Sequence, residues 1–188
     1  AEDTNVEDNW KSVLGLQGTG SASFNVSGLF VPEQFSWDME RDKPYCGEPI
    51  SLLGIPGSIF YEHVFFALGV AERALEEIVK RASVHSRTYG PPVPPLSEDQ
   101  TFQKEIGRMK LQLQSIEVMG LQLLNDALAV AESGKTPETT SQVQFRAFAA
   151  YATEVAWQIV DTCFGYAGGR AVLENSVLAR CWRDMRTA

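Results

Sequence analysis

The chain has 188 residues, enough for one full domain or one and a part, with a core large enough to need no disulfide or metal staple. Its formal net charge is −8, from 16 Lys and Arg against 24 Asp and Glu, with no basic cluster to meet a polyanion, so nucleic-acid binding is excluded. Cys46, Cys163 and Cys181 are odd in number, far apart and never in C-x-x-C spacing, which argues against a disulfide framework or zinc site and predicts a reducing, cytoplasmic setting.

The acidic opening AEDTNVED lacks the basic-then-apolar order of a leader. The most apolar run, SIFYEHVFFALGVA, is broken by Glu62 and His63 and is too short for a bilayer. A soluble protein with no membrane partner is expected.

The first informative stretch is WKSVLGLQGTGS, residues 10–21. Gly15 and Gly20 have the separation of a phosphate-cradling loop, but Ser21 stands where that loop needs its lysine. Counting from Gly18, the third position of a dinucleotide fingerprint is Ser23. Residues 22–31, ASFNVSGLFV, alternate Phe24 and Val26 with polar neighbours and read as a strand. The glycines therefore read as a turn between two strands.

The pattern changes near residue 50. A first helix is predicted from roughly Pro56 to Tyr89, with Phe60, Val64, Ala67, Val70, Ala71, Ala74, Ile78 and Ala82 on one face. Gly90 and the run PPVPP stop it. A second starts at a capping box, Ser97-Glu98-Asp99-Gln100, and carries Phe102, Ile106, Met109, Leu113, Ile116, Leu123 and Ala127 to a stop at Gly134. A third starts at Thr136-Pro137 and buries Phe148, Ala152, Val155, Ile159 and Cys163, ending near Gly165 or Gly168-Gly169. A shorter fourth segment, Leu173 to Arg186, is apolar at Val177, Leu178, Cys181 and Trp182. The fold class is mainly α: an antiparallel four-helix bundle preceded by a few strands of an incomplete sheet domain. Two or three strands are too few to stand alone. The boundaries are residues 1–48 for the end of a sheet domain with its linker and 49–188 for the helical domain.

These features together resemble the acyl-CoA dehydrogenase superfamily. Trp10, Leu14 to Leu16, Gly18 to Ser21, then Phe24, Val26 and Phe30-Val31-Pro32-Glu33, are similar to the closing strands of its middle domain. F-G-Y-A-G-G from Phe164 and W-R-D-M-R from Trp182 are similar to its C-terminal helical domain. The resemblance implies a flavin, FAD or FMN, beside the glycine turn. It also implies a homo-oligomer, usually a tetramer, assembled through the bundle. The chain then corresponds to the later half of such a protein, with the family's usual catalytic glutamate or histidine following Arg-Asp-Met-Arg. No catalytic residue and no metal site is therefore assigned within it, and the chain alone is expected to be inactive.

Departures choose the branch. Gln17 stands where family members often have Arg. The R-x-x-F-G of the dehydrogenases is replaced by Ser86-Arg87-Thr88-Tyr89-Gly90, and the glutamine one turn before the Gly-Gly by Phe164. These departures look more like flavin-dependent monooxygenases, which take reduced flavin from a partner reductase and hydroxylate an aromatic or polycyclic small molecule. A true acyl-CoA dehydrogenase with FAD and a non-catalytic oligomerisation module are the alternatives. The resemblance places Arg87, Tyr89, Gln103, Gly168 and Gly169 at the flavin. Arg87 alternatively serves the helix end, Gln103 a solvated face and the glycines a helix cap. Glu62, about one turn from the family's alternative base position near Ile59, and His63, on the apolar side, are weaker candidates. His85 reads as solvated, and Arg183-Asp184 as an ion pair holding the last helix.

Overall fold

The computed structural model describes residues 4–36, 48–84 and 93–188, with the backbone alone at 55, 56 and 58. Strand β1 (Thr4–Glu7) pairs antiparallel with β2 (Ser23–Val26), Thr4 opposite Val26 and Glu7 opposite Ser23. Four α-helices come next along the described residues: α1 (Gly54–Ala82), α2 (Gln100–Glu132), α3 (Thr139–Ala167) and α4 (Val177–Thr187). Short 3-10 turns lie at Pro49–Leu53, Leu96–Glu98 and Gly168–Val172. The mainly helical bundle with a small strand pair before it agrees with the sequence reading. No helix among the described residues is long and apolar enough to cross a membrane.

The predicted apolar faces are the buried ones. On α1, Val64, Ala67, Ala71, Ala74, Ile78 and Ala82 are buried at three-and-four spacing, and α3 meets them with Phe148, Ala152, Val155, Ala156, Ile159 and Cys163. On α2 the stripe runs from Phe102 through Met109, Leu113 and Ile116 to Leu123 and Ala127. Helix α4 adds Leu178, Cys181 and Met185 to the same core.

The helix ends correct the sequence reading. Helix α1 begins at Gly54, out of a 3-10 turn, and ends at Ala82 rather than at Tyr89, which lies outside the described residues. For α2 the cap is Asp99, not Ser97, because residues 96–98 form a 3-10 turn of their own. Asp99 Oδ1 accepts from the Phe102 amide at 2.8 Å, so a carboxylate still faces the positive end of the helix. Helix α3 starts at Thr139, since Glu138 is still extended after Pro137 and no side chain caps it. A tertiary contact fixes this start: Gln142 Nε2 donates to the Leu53 carbonyl at 2.9 Å. Helix α4 starts at Val177, where buried Ser176 accepts from the Ala179 amide at 3.5 Å.

The strand segment meets the bundle at one place among the described residues. The strands pack on no helix, and Val6, Phe24 and Val26 are exposed. Instead Gly15 lies against the backbone of α4: a Cβ there would sit 2.6 Å from the Asp184 nitrogen and closer still to the Arg183 carbonyl. Next to it, Leu16 N donates to Asp184 Oδ1 at 2.8 Å, with Leu16 in the left-handed region at φ 54°. Asp184 is thus an acceptor for backbone rather than the ion-pair partner of Arg183, whose Nη2 donates to the Glu174 carbonyl at 3.5 Å. The glycine turn does lie between the two strands, and its first glycine is there because nothing larger fits against α4.

Gly15→Ala should therefore cost about 1–3 kcal/mol, the range for overpacking against a fixed neighbour. Thermal melts of the variant and of Gly18→Ala, where a Cβ would meet nothing within 4 Å, should separate by that amount; equal melts would show that α4 yields.

Candidate functional site

One end of the bundle gathers the C-terminal turn of α1, the Leu96 turn, the N-terminus of α2 and the C-terminal end of α3. A cavity of about 430 Å³ opens there, lined by Glu77, Ile78, Lys80, Arg81, Leu96, Tyr166 and Arg170 among others. Its charge follows from local pairing. Glu77, 9% exposed, accepts from Arg81 Nε at 2.8 Å and from Arg73 Nη2 at 3.4 Å. The hydrogen bond from Arg81 holds the Glu77 carboxyl below its ordinary range against the opposing effect of burial. Arg81 is thereby paired, while Lys80, whose charge also acts on Glu77, and Arg170 line the cavity without a salt bridge among the described residues.

The opposite wall is fixed by Tyr166. Its ring meets Phe102 edge-on, centroids 5.0 Å apart, and its hydroxyl donates to the Glu105 carboxylate. That hydrogen bond, reinforced by burial, pushes the phenol up to about 12. The pair locks the start of α2 onto the end of α3, so the two glycines and Gln103 share this end of the bundle.

Gly168 closes α3 with φ 60° and ψ −154°, a conformation open essentially to glycine alone. A Cβ at Gly168 or Gly169 would meet nothing within 4 Å, so both present open backbone. Gln103 is exposed, and its Nε2 donates to the Ser97 carbonyl at 2.8 Å, bracing the 3-10 turn. Arg87, Tyr89 and His85 lie outside the described residues. Glu62 is exposed on α1, and half-buried His63 stands 6.5 Å from the Phe66 ring rather than in the core. Fifteen residues of helix, roughly 22 Å, separate Glu62 from Glu77, so neither Glu62 nor His63 belongs to this cavity. Sequence reasoning missed Lys80, Arg170 and the Tyr166–Glu105 pair. The Glu77–Arg81 spacing of four is a local signal that could have pointed to this end of α1.

Fold and site together define a helical-bundle domain with a basic-lined cavity at one end and a strand pair tied to its last helix. The family model described as "Acyl-CoA dehydrogenase, C-terminal domain" matches residues 61–188, and the chain belongs to that family. Among solved structures, XiaF from Streptomyces sp., in complex with FADH2 and glycerol, overlays with a TM-score of 0.80 at 21% identity, covering 100% of this chain and 48% of that one. The HsaA monooxygenase from M. tuberculosis overlays at 0.80 and 18% identity, covering 99% and 48%. Butyryl-CoA dehydrogenase from Megasphaera elsdenii overlays at 0.66 and 21% identity, covering 98% and 44%. The chain thus spans about half the length of these structures. Curated proteins gave no match to the sequence.

The Tyr166 phenol is held neutral by the fold, so its contribution to stability is complete below pH 10 and is lost as pH rises from 10 to about 12. Denaturant unfolding at pH 9 and at pH 11.5 should show this loss in the parent chain and a smaller one in Tyr166→Phe. An identical alkaline loss in both would remove the Glu105 bond from the account.

Proposed function

We propose that the chain forms the helical half of a flavin site in a flavin-dependent oxidoreductase, nearer the monooxygenases than the acyl-CoA dehydrogenases. The cavity at the end of the bundle carries this reading. It combines Lys80 and Arg170, neither in a salt bridge among the described residues and both suited to a phosphate, with open backbone at Gly168 and Gly169, suited to close approach by a flat or extended group. Gln103 and, from outside the described residues, Arg87 and Tyr89 join this assignment by resemblance. A bound flavin, FAD or FMN, would supply the redox chemistry. These residues would hold its phosphate and adenine side, orient it and exclude water. The displaced Arg87 and the Phe164 substitution support the monooxygenase branch, with an aromatic or polycyclic substrate and a reductase partner. A dehydrogenase acting on an acyl-CoA is the second reading. It would have to take its carboxylate base from beyond these residues, since Ile59 stands at the alternative position on α1.

A homo-oligomer belongs to the same proposal. Leu111, Val118, Met119 and Leu121 on α2 and Phe66 on α1 are exposed apolar side chains, a surface that a second copy would cover. Sedimentation at micromolar concentration should give a species heavier than the 20.8 kDa monomer; a monomer alone would count against assembly through these helices.

Flavin titration tests the site. Fluorescence of FMN and FAD should change weakly but saturably on adding the chain, riboflavin should respond less, and the chain alone should turn nothing over. Arg170→Ala should weaken FMN binding about ten-fold, the loss of one charge-assisted contact. No response at millimolar flavin would refute the assignment.

A further inference from the structure

A second cavity, sharing no residue with the first, lies where the glycine turn meets α4. It measures about 420 Å³ and is lined by Leu14 to Thr19 together with Arg180, Arg183 and Asp184. We propose that this groove is a second binding site, for a phosphate-bearing small molecule gripped by Arg180 and Arg183. The turn by itself has no lysine for a phosphate, but the fold brings two guanidiniums to it from the far end of the sequence.

Five observations carry the assignment. Arg180 and Arg183 are three apart on α4, so their side chains are neighbours on one helix face, a spacing that lets two forks address one phosphate or the two ends of a diphosphate. Neither has a carboxylate partner among the described residues, in contrast to Arg73, Arg81 and Arg186, which are paired. The acidic neighbour, Asp184, already accepts from Leu16 N at 2.8 Å. The Leu16 carbonyl, which would otherwise repel an anion, takes three donors: Trp10 Nε1 at 3.0 Å, Thr19 N at 3.1 Å and Thr19 Oγ1 at 3.0 Å. The wall is rigid, because Gly15 is in backbone contact with α4, and it is open, because a Cβ at Gly18 would meet nothing within 4 Å.

Inorganic pyrophosphate and orthophosphate are the probes, titrated calorimetrically at constant ionic strength. Pyrophosphate should bind saturably and more tightly than orthophosphate. Arg180→Gln and Arg183→Gln should each weaken it about ten-fold, the worth of one charge-assisted hydrogen bond, while Lys135→Gln, in the α2–α3 loop, leaves it unchanged. Circular dichroism checks that each variant is folded, and Arg180, whose side chain makes no bond among the described residues, gives a variant that folding cannot confound. Riboflavin and FMN separate the two sites: FMN binding that survives both α4 substitutions leaves the flavin proposal standing whatever happens here. Absence of saturable heat at millimolar pyrophosphate, retention of binding by the double variant, or an equal loss in Lys135→Gln would each overturn the second site.

Discussion

The structure depends on the close approach of α1 and α3. Both helices bury alanines along the seam, Ala67, Ala71 and Ala74 on one side and Ala149, Ala152 and Ala156 on the other, all at 0% exposure except Ala149 at 4%. Side chains this small let two helix axes come near the lower end of the usual spacing of about 8–10 Å. Larger residues complete the same core: Val64, Ile78, Ile159 and Val160, with Leu178 of α4, are all but fully buried. Interiors pack too densely for such a seam to widen locally, so a bulky substitution would push α1 away from α3 along its length. Helices α2 and α4 have positions only relative to that pair.

The cavity at the end of the bundle is a consequence of this arrangement. Helices α1 and α3 end near one another, and α2 begins there because Phe102 packs against Tyr166. Three helix ends that meet without filling the space between them leave a hollow. The seam also fixes Glu77, one turn before the end of α1, where one carboxylate faces Arg73, Arg81 and Lys80, and Arg170 adds a further positive charge. A chain of net charge −8 thus presents a local basic surface at a defined place. Charge pairing inside the helices, rather than overall composition, decides where an anion can go.

The helices were legible in the sequence because burial on one face imposes a period that a single chain displays directly. Val64 through Ala82, Phe102 through Ala127 and Phe148 through Cys163 are buried as their spacing requires. Helix starts were less legible, since several residues near each boundary have cap chemistry and tertiary contacts choose among them. Ser97 and Asp99 compete for α2, and the 3-10 turn at Leu96 decides for Asp99. The site was legible only where one residue type is demanded by its backbone, as at Gly168 with ψ −154°. Lys80, Arg170 and Glu105 belong to it through contacts between helices, and no local spacing announces those. Arg183-Asp184 misled for the same reason: adjacent opposite charges suggest a pair, but the Asp184 carboxylate faces the Leu16 amide contributed by the other end of the chain.

That contact gives α4 two duties that must be compatible. On one side the helix is held to α3 by Arg186, whose guanidinium lies 4.1 Å from the Trp157 ring centroid and 5.1 Å from that of Trp182. Asp161 joins the same cluster, accepting from Trp182 Nε1 at 2.9 Å and lying 3.9 Å from Arg186 Nη2, and Phe164 stacks on Trp182. Cation–π contacts of this kind are each of order 0.5–1 kcal/mol when partly exposed. On the other side α4 receives Gly15 and Leu16, the one attachment among the described residues of a strand pair that packs on no helix. Because β1 and β2 have no independent stability, their placement is inherited from α4, and the placement of α4 from its aromatic seat on α3. The groove between the glycine turn and Arg180 and Arg183 is bounded by both duties at once. Its width is set where the strand segment and the bundle are joined, so an anion bound there would stiffen the same junction that holds them together.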